Sequence, residues 1–326
     1  MSPIKDLHLV YEYLNEDGTF SEGDTITGTV SFTVTEATKV KGLMVKAKGD
    51  VNVHWTRGSG DSKKSYSAHE RYFKVKEYLI AETGTDLPKG DHRFSFHLQI
   101  PQGDMPSSFK GIHGKIVYIL EAKMSRSWRW PTTVKEELKF VSKNLLHLGQ
   151  VMCPQSGSVD KETGVFSKRL VQMSATVDRK FCSPGDTISI VAQISNSSSK
   201  EMKPKFSLNQ KVVYHASGST QTDDQCLCKM IGEVITEKSE RTVTCQMEIP
   251  PDVLYALHNC EHISVEHYLK VYLDISFAFD PEVVFPLGIV PSSMASLQPD
   301  EAAEPYSAWG AGAPGYSYFP PPAVPM

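Results

Sequence analysis

The residues best suited to chemistry gather late in the chain. His258-x-Cys260-x-His262 is followed by His267, and Cys226-x-Cys228 lies upstream. Positions two apart on a strand share a face, so His258, Cys260 and His262 can converge on one tetrahedral metal ion, with Cys226 and Cys228 to complete it. The Cys-x-x-Cys spacing common in zinc sites is missing. Packed cysteine beside surface histidine is the competing reading, and it sets the expectation: no metal and no cofactor.

The run Arg57-Gly-Ser-Gly-Asp-Ser-Lys-Lys-Ser65 has the composition of a phosphate cradle. It lacks the G-x-x-x-x-G-K-[ST] spacing, and no helical pattern follows. It reads as a solvated hairpin loop whose Lys63 and Lys64 can meet an acidic or phosphorylated partner. Arg126, Trp128, Arg129, Trp130 and Pro131 form a basic aromatic segment, suited either to contact or to sealing a domain edge. Lys63, Lys64, Arg126 and Arg129 are therefore the candidate partner contacts. There is no G-x-S-x-G and no nucleophile elbow, and Glu136-Glu137 reads as an exposed charge pair. The chain is expected not to be an enzyme.

Strands must carry these side chains. Ile26, Val30, Phe32 and Val34 alternate with threonine and serine, and Leu43-Val45-Ala47, Ile116-Tyr118-Leu120-Ala122 and Ile188-Ile190-Ala192-Ile194 repeat the pattern. That period of two predicts sheets with one buried face. Two such sheets cover each other as a sandwich. No long segment has a helical period, though short helical turns fit near 254–258.

The pattern also occurs twice. Phe20-Ser-Glu-Gly-Asp-Thr-Ile26 returns as Phe181-Cys-Ser-Pro-Gly-Asp-Thr-Ile188. Both read as hairpin turns, with glycine at positive φ and aspartate bonding nearby amides. Phe94, Phe96, Leu98 and Ile100 before Pro101 are echoed by Val243, Cys245, Met247 and Ile249 before Pro250, and Gly114–Tyr118 more loosely by Ile263–Tyr268. A repeat this long is a domain. The expectation is an all-β chain of two tandem antiparallel, immunoglobulin-like sandwiches at 1–150 and 167–290. A polar linker at 151–166 joins them, and a disordered Pro/Gly/Tyr-rich tail follows at 291–326.

At 326 residues the chain has room for two full cores. Its apolar stretches fall well short of the ~20 residues a membrane helix needs. The start carries no signal-peptide pattern, so an intracellular protein with six reduced cysteines is expected. The net charge of −4 argues against nucleic acid. Residues 1–150 hold 21 Lys/Arg against 18 Asp/Glu and the remainder 13 against 20, a mild basic bias in the first half.

One stretch is specific. Ser107-Ser-Phe-Lys-Gly-Ile-His-Gly-Lys-Ile-Val-Tyr-Ile-Leu-Glu-Ala122, followed by Arg126-Ser-Trp128, resembles the amino-terminal domain of alpha-arrestins, whose pattern is S-F-E-G-x-H-G-x-x-x-Y; Lys110 stands at the acidic position. Ser183-Pro-Gly-Asp186, Ile249-Pro250, Cys260-Glu-His-Ile-Ser-Val-Glu-His-Tyr268 and Phe285-Pro-Leu-Gly-Ile289 resemble the carboxy-terminal domain. The resemblance implies two arrestin-like sandwiches forming an adaptor for cytoplasmic segments of membrane receptors or transporters. It implies endocytosis or endosomal sorting of that cargo, and recruitment from cytoplasm to plasma membrane and endosomes as a peripheral protein. It places Cys260 just before or within a core strand, and Trp128 in packing. It also implies WW-domain HECT ubiquitin ligases as partners through Pro-Pro-x-Tyr. Here Pro321, Pro322, Ala323 and Val324 form a degenerate version, with valine where a tyrosine ring should fill its pocket. Weak or no WW binding is expected. A structural trafficking-coat subunit of arrestin fold is the alternative function, with a His/Cys metal-site protein behind it.

Overall fold

The computed structural model describes residues 3–127, 129–143, 153–163, 169–257, 259–276 and 279–292. Almost all of them lie in strands or tight connections. In the first domain Ile4–Tyr11, Thr25–Val34 and Gly90–Gln99 form one antiparallel sheet in that spatial order. Facing it, the order is Thr19–Phe20, Arg129–Phe140, Gly114–Arg126, Gly42–Arg57, Lys64–Ile80, with Phe109–Lys110 added against Gly114–Arg126.

The second domain repeats the plan. Gln155–Thr163, Arg169–Val177, Thr187–Asn196 and Ser239–Glu248 make one sheet. Phe181–Cys182, Glu282–Ile289, Ile263–Ile275, Met202–Ala216 and Ser219–Ile231 make the other. The copies agree residue by residue: Ile26 pairs with Leu98 as Ile188 pairs with Met247. The short strands agree as well, since Phe20 lies parallel to Phe140 and Cys182 parallel to Ile289.

The alternation explains the burial. Ile26, Val30, Phe32 and Val34 point inward, and so do Ile188, Ile190, Ala192 and Ile194. Tyr118 anchors the first core, its ring stacked on Phe140 at 4.1 Å and its hydroxyl donating to the Pro106 carbonyl at 2.5 Å. Each such side chain contributes about 1.5–3 kcal/mol by leaving water. Gly49 makes room for this ring, because a β-carbon there would sit 2.5 Å from it.

Three expectations change. The Gly-Asp-Thr turns are not hairpins: each carries the chain from one sheet of its sandwich to the other. Their internal chemistry is as expected. Gly23 and Gly185 have φ of 80° and 84°. Asp24 accepts from the Ser21 amide at 2.7 Å, and Asp186 from the Ser183 amide at 2.8 Å.

The segment expected as a linker holds the strand Gln155–Thr163, paired along Arg169–Val177. It is an edge strand whose inward positions include Gly157 and Val159, with Val159 its one apolar side chain against the core, so its polar sequence carries no apolar alternation to read. Among the described residues 254–257 there is no helical turn. Leu257 instead bridges Val265 through reciprocal amide bonds of 3.1 and 2.9 Å.

Candidate functional site

At Gly111 and Gly114 the two sandwiches approach closely. A β-carbon on Gly111 would lie 2.3 Å from the Tyr214 hydroxyl, and one on Gly114 would lie 2.9 Å from Ile263 Cδ1. Between them His113 meets Tyr214 edge-on at 5.4 Å, and its Nε2 lies 3.7 Å from Asp223 Oδ1. The first core runs on without a break into Val212, Tyr214, Ala216, Leu257, Ile263 and Val265 of the second domain. Polar contacts surround this apolar centre. Arg57 donates to the Thr220 carbonyl at 2.7 Å, Ser217 donates to the Ser67 carbonyl at 3.1 Å, and His262 sits 3.4 Å from Glu70.

A second clasp lies at the base of the first domain. Glu22 is buried, accepting from Ser142 Oγ at 2.6 Å and from the Lys143 amide at 2.8 Å. Lys143 reaches Asp24 at 2.8 Å. Asn259 of the second domain caps the group, donating to Asp104 at 3.1 Å and to the Met105 carbonyl at 2.9 Å. Alongside it, Phe109, Leu138, Val253 and Leu254 line a cleft of about 590 Å³.

The outward face of the large first-domain sheet is basic. Lys46 and Lys48 project there from Gly42–Arg57, directly opposite Lys76 and Lys74 of the edge strand. Lys123 and Lys135 flank them on the other side. Two nearly buried carboxylates lie beneath. Glu121 binds Lys46 at 2.8 Å and faces Lys135 at 3.7 Å. Asp50 binds Lys48 at 2.6 Å and Arg71 at 2.7 Å. Burial alone would raise both acids, but the hydrogen bonds and positive charge around them outweigh it and hold both below the usual carboxylate range.

Family comparisons agree with this two-domain plan. The arrestin (or S-antigen) N-terminal domain matches residues 9–146 and the arrestin C-terminal domain matches 167–294. Arrestin domain-containing protein 4 of Mus musculus is 29% identical over 304 residues, covering 89% of this chain and 73% of the relative. Its Homo sapiens counterpart is 29% identical over 299 residues, covering 88% and 71%. Thioredoxin-interacting protein of Homo sapiens is 27% identical over 308 residues, covering 90% and 76%.

The chain belongs to the alpha-arrestin family.

Arrestins are adaptors that bind membrane-protein cargo rather than transform a substrate. In this alpha-arrestin the signature from Ser107 to Tyr118 has a physical reading: it is the first domain's half of the joint. Ser107 accepts from the Ser142 amide and Ser108 from the Phe140 amide, each at 3.0 Å, and Phe109 tilts against Tyr214. Lys110, the departure from the family pattern, pairs with Glu137 at 2.8 Å.

The four expected contact residues do not form one patch. Lys63 and Lys64 lie at the turn after Arg57, where Gly60–Ser62 makes a single 3₁₀ turn. Arg126 and Arg129 close the opposite end of the same sheet, since Ser125 pairs with Gly42. The 16-residue strand Gly42–Arg57 between these ends spans roughly 50 Å. Arg126 donates to Thr132 at 2.6 Å and so braces its own hairpin. Trp128, His258 and the residues Pro321, Pro322, Ala323 and Val324 lie outside the described residues.

The cysteines and histidines are also dispersed. Cys260 precedes the strand Ile263–Ile275 and accepts from Tyr72 at 3.2 Å, whereas His262 faces Glu70. His267 is buried beside Gln210 at 3.3 Å. Cys226 and Cys228 lie on the edge strand Ser219–Ile231. Among the described residues no three His, Cys, Asp or Glu side chains are placed to hold a metal. Burial pushes the Cys182 thiol up to about 12 and raises Cys228 and Cys245, which makes these thiols packing groups rather than nucleophiles.

Two features escape a motif scan. The joint brings together residues more than a hundred positions apart. The lysine face leaves a faint trace, Lys46-x-Lys48 and Lys74-x-Lys76, at the strand period and opposite to the apolar positions.

Proposed function

We propose that this alpha-arrestin is an intracellular adaptor that binds cytoplasmic segments of membrane receptors or transporters and directs their endocytosis or endosomal sorting. The observation that supports this most is the pair of arrestin sandwiches locked through one core, in a family of adaptors. The protein is recruited from the cytoplasm to the plasma membrane and endosomes by its cargo. Lys63, Lys64, Arg126 and Arg129, at the two ends of the first domain, are the contacts proposed for acidic cargo. Proximity labelling with the full chain and with a chain ending at Pro291 tests the reading. Integral membrane proteins recovered with both chains support sandwich-borne cargo binding, and recovery of none with either rejects it.

The degenerate tail makes ligase recruitment weak. Replacing a ring that fills a pocket with valine costs about 1–3 kcal/mol, enough to abolish a weak motif. Val324→Tyr should therefore create binding to an isolated WW domain. Low-micromolar binding by the unmodified tail would overturn this part of the reading.

A further inference from the structure

We propose that the first domain rests on a bilayer through its lysine face, with the cations set against anionic lipid headgroups. This goes beyond the adaptor reading: the chain itself, not only its cargo, touches the membrane.

The argument begins with neutralisation. Asp50 and Glu121 are already satisfied by Lys46, Lys48, Arg71 and Lys135. Lys74, Lys76 and Lys123 have no carboxylate within ion-pair distance among the described residues; Lys76 bonds the Tyr78 hydroxyl at 3.0 Å and feels Glu82 from farther away. Net positive charge is therefore left on an exposed surface.

Its geometry selects the partner. On a sheet, neighbouring heads stand ~4.8 Å apart across strands and ~6.6 Å apart along them. These cations are spread over a plane and do not converge on a point. A phosphate site on a protein needs several donors aimed at one group, whereas a headgroup layer presents its charge as this face does. The strands carrying Lys46, Lys48 and Lys123 are also paired on both sides, so an acidic peptide could add as a new strand only along the edge strand Lys64–Ile80 and would leave the lysines of the inner strands unmet. At the border Tyr78 is 41% exposed, with Lys76 Nζ 4.9 Å from its ring centre. A ring with an apolar body and a polar tip suits headgroup depth.

Flotation of the full chain with vesicles tests this. The chain should float with phosphatidylcholine vesicles containing phosphatidylserine and stay behind with phosphatidylcholine alone. Added salt should release it, because exposed charges are screened. The triple variant Lys74→Glu, Lys76→Glu, Lys123→Glu should lose well over a hundredfold in partitioning, because removing three surface cations near an anionic membrane already amounts to about a hundredfold. Lys63→Glu with Lys64→Glu, on the loop, should keep most binding. The same three positions changed to glutamine should give a smaller loss at an unchanged melting temperature, which rules out misfolding.

Failure of the wild-type chain to float with phosphatidylserine vesicles overturns the proposal, as does a triple variant that floats like wild type. Binding of an acidic phosphopeptide but not vesicles, lost in the triple variant, would make the face a peptide site instead. Dimers broken by the triple variant, without vesicle binding, would make it a self-contact. Cargo capture from detergent extract, with no bilayer left, separates this idea from the adaptor reading: the triple variant should capture as wild type does.

Discussion

At the scale of single residues, glycine rather than any charged group decides how the halves meet. A β-carbon on Gly111 would overlap both Tyr214 Oη and the Phe109 ring, which lies 2.7 Å from that position. Relief requires moving a buried ring or separating the domains. Gly111→Ala should cost about 1–3 kcal/mol, the usual penalty of overpacking. It should also make the two domains melt as separate transitions in calorimetry. A single unshifted transition would show that the contact at Gly111 is not what couples them.

At the scale of elements, the sandwich strands could be read from alternation because one face of each had to be apolar. The edge strand Gln155–Thr163 could not, since its half-buried positions hold Gln155, Gly157 and Lys161 around a single apolar Val159. The repeated turns were legible in composition, while their role in crossing between sheets needed the strand order. They also give a paired test. Asp24→Ala and Asp186→Ala each remove a carboxylate bond to a backbone amide, worth about 1.5–3 kcal/mol. Asp24 also holds Lys143, so its loss should be the larger in a thermal melt.

The lysine face makes its own pH prediction. The folded pKa values of Asp50 and Glu121 lie below their unfolded values. Their contribution is fully present above the unfolded carboxylate range of about 4 and is lost as pH falls through the depressed folded values. Stability followed from pH 7 into that acid range should fall less steeply in Asp50→Asn than in wild type. Equal slopes would place the acid sensitivity elsewhere. This face left little sign in the sequence, because its lysines come from separate strands and only register brings them together.

At the scale of the molecule, the duplication predicts two modules, but nothing in it predicts one shared core. Val212, Tyr214 and Ile263 are buried against the other domain. A fragment of residues 1–150 alone should therefore expose an apolar joint and aggregate, and it should become soluble when co-expressed with 151–326. Tyr214→Ser should weaken that rescue. Two fragments that are each soluble and ignore one another in gel filtration would count against the shared core. Charge alone could not place the candidate contacts, because only the strand order puts Lys63 and Arg126 at opposite ends of a long sheet.

The last long strand has a mechanical consequence. Glu282–Ile289 is clamped between the antiparallel Ile263–Ile275 and the parallel Phe181–Cys182, and the chain leaves it toward Ser292. Anything that grips the polypeptide beyond that point tugs along the strand axis. The rungs on both sides then resist together, in shear, instead of unzipping one at a time. The tail is thus anchored on a strand whose bonds are loaded in shear.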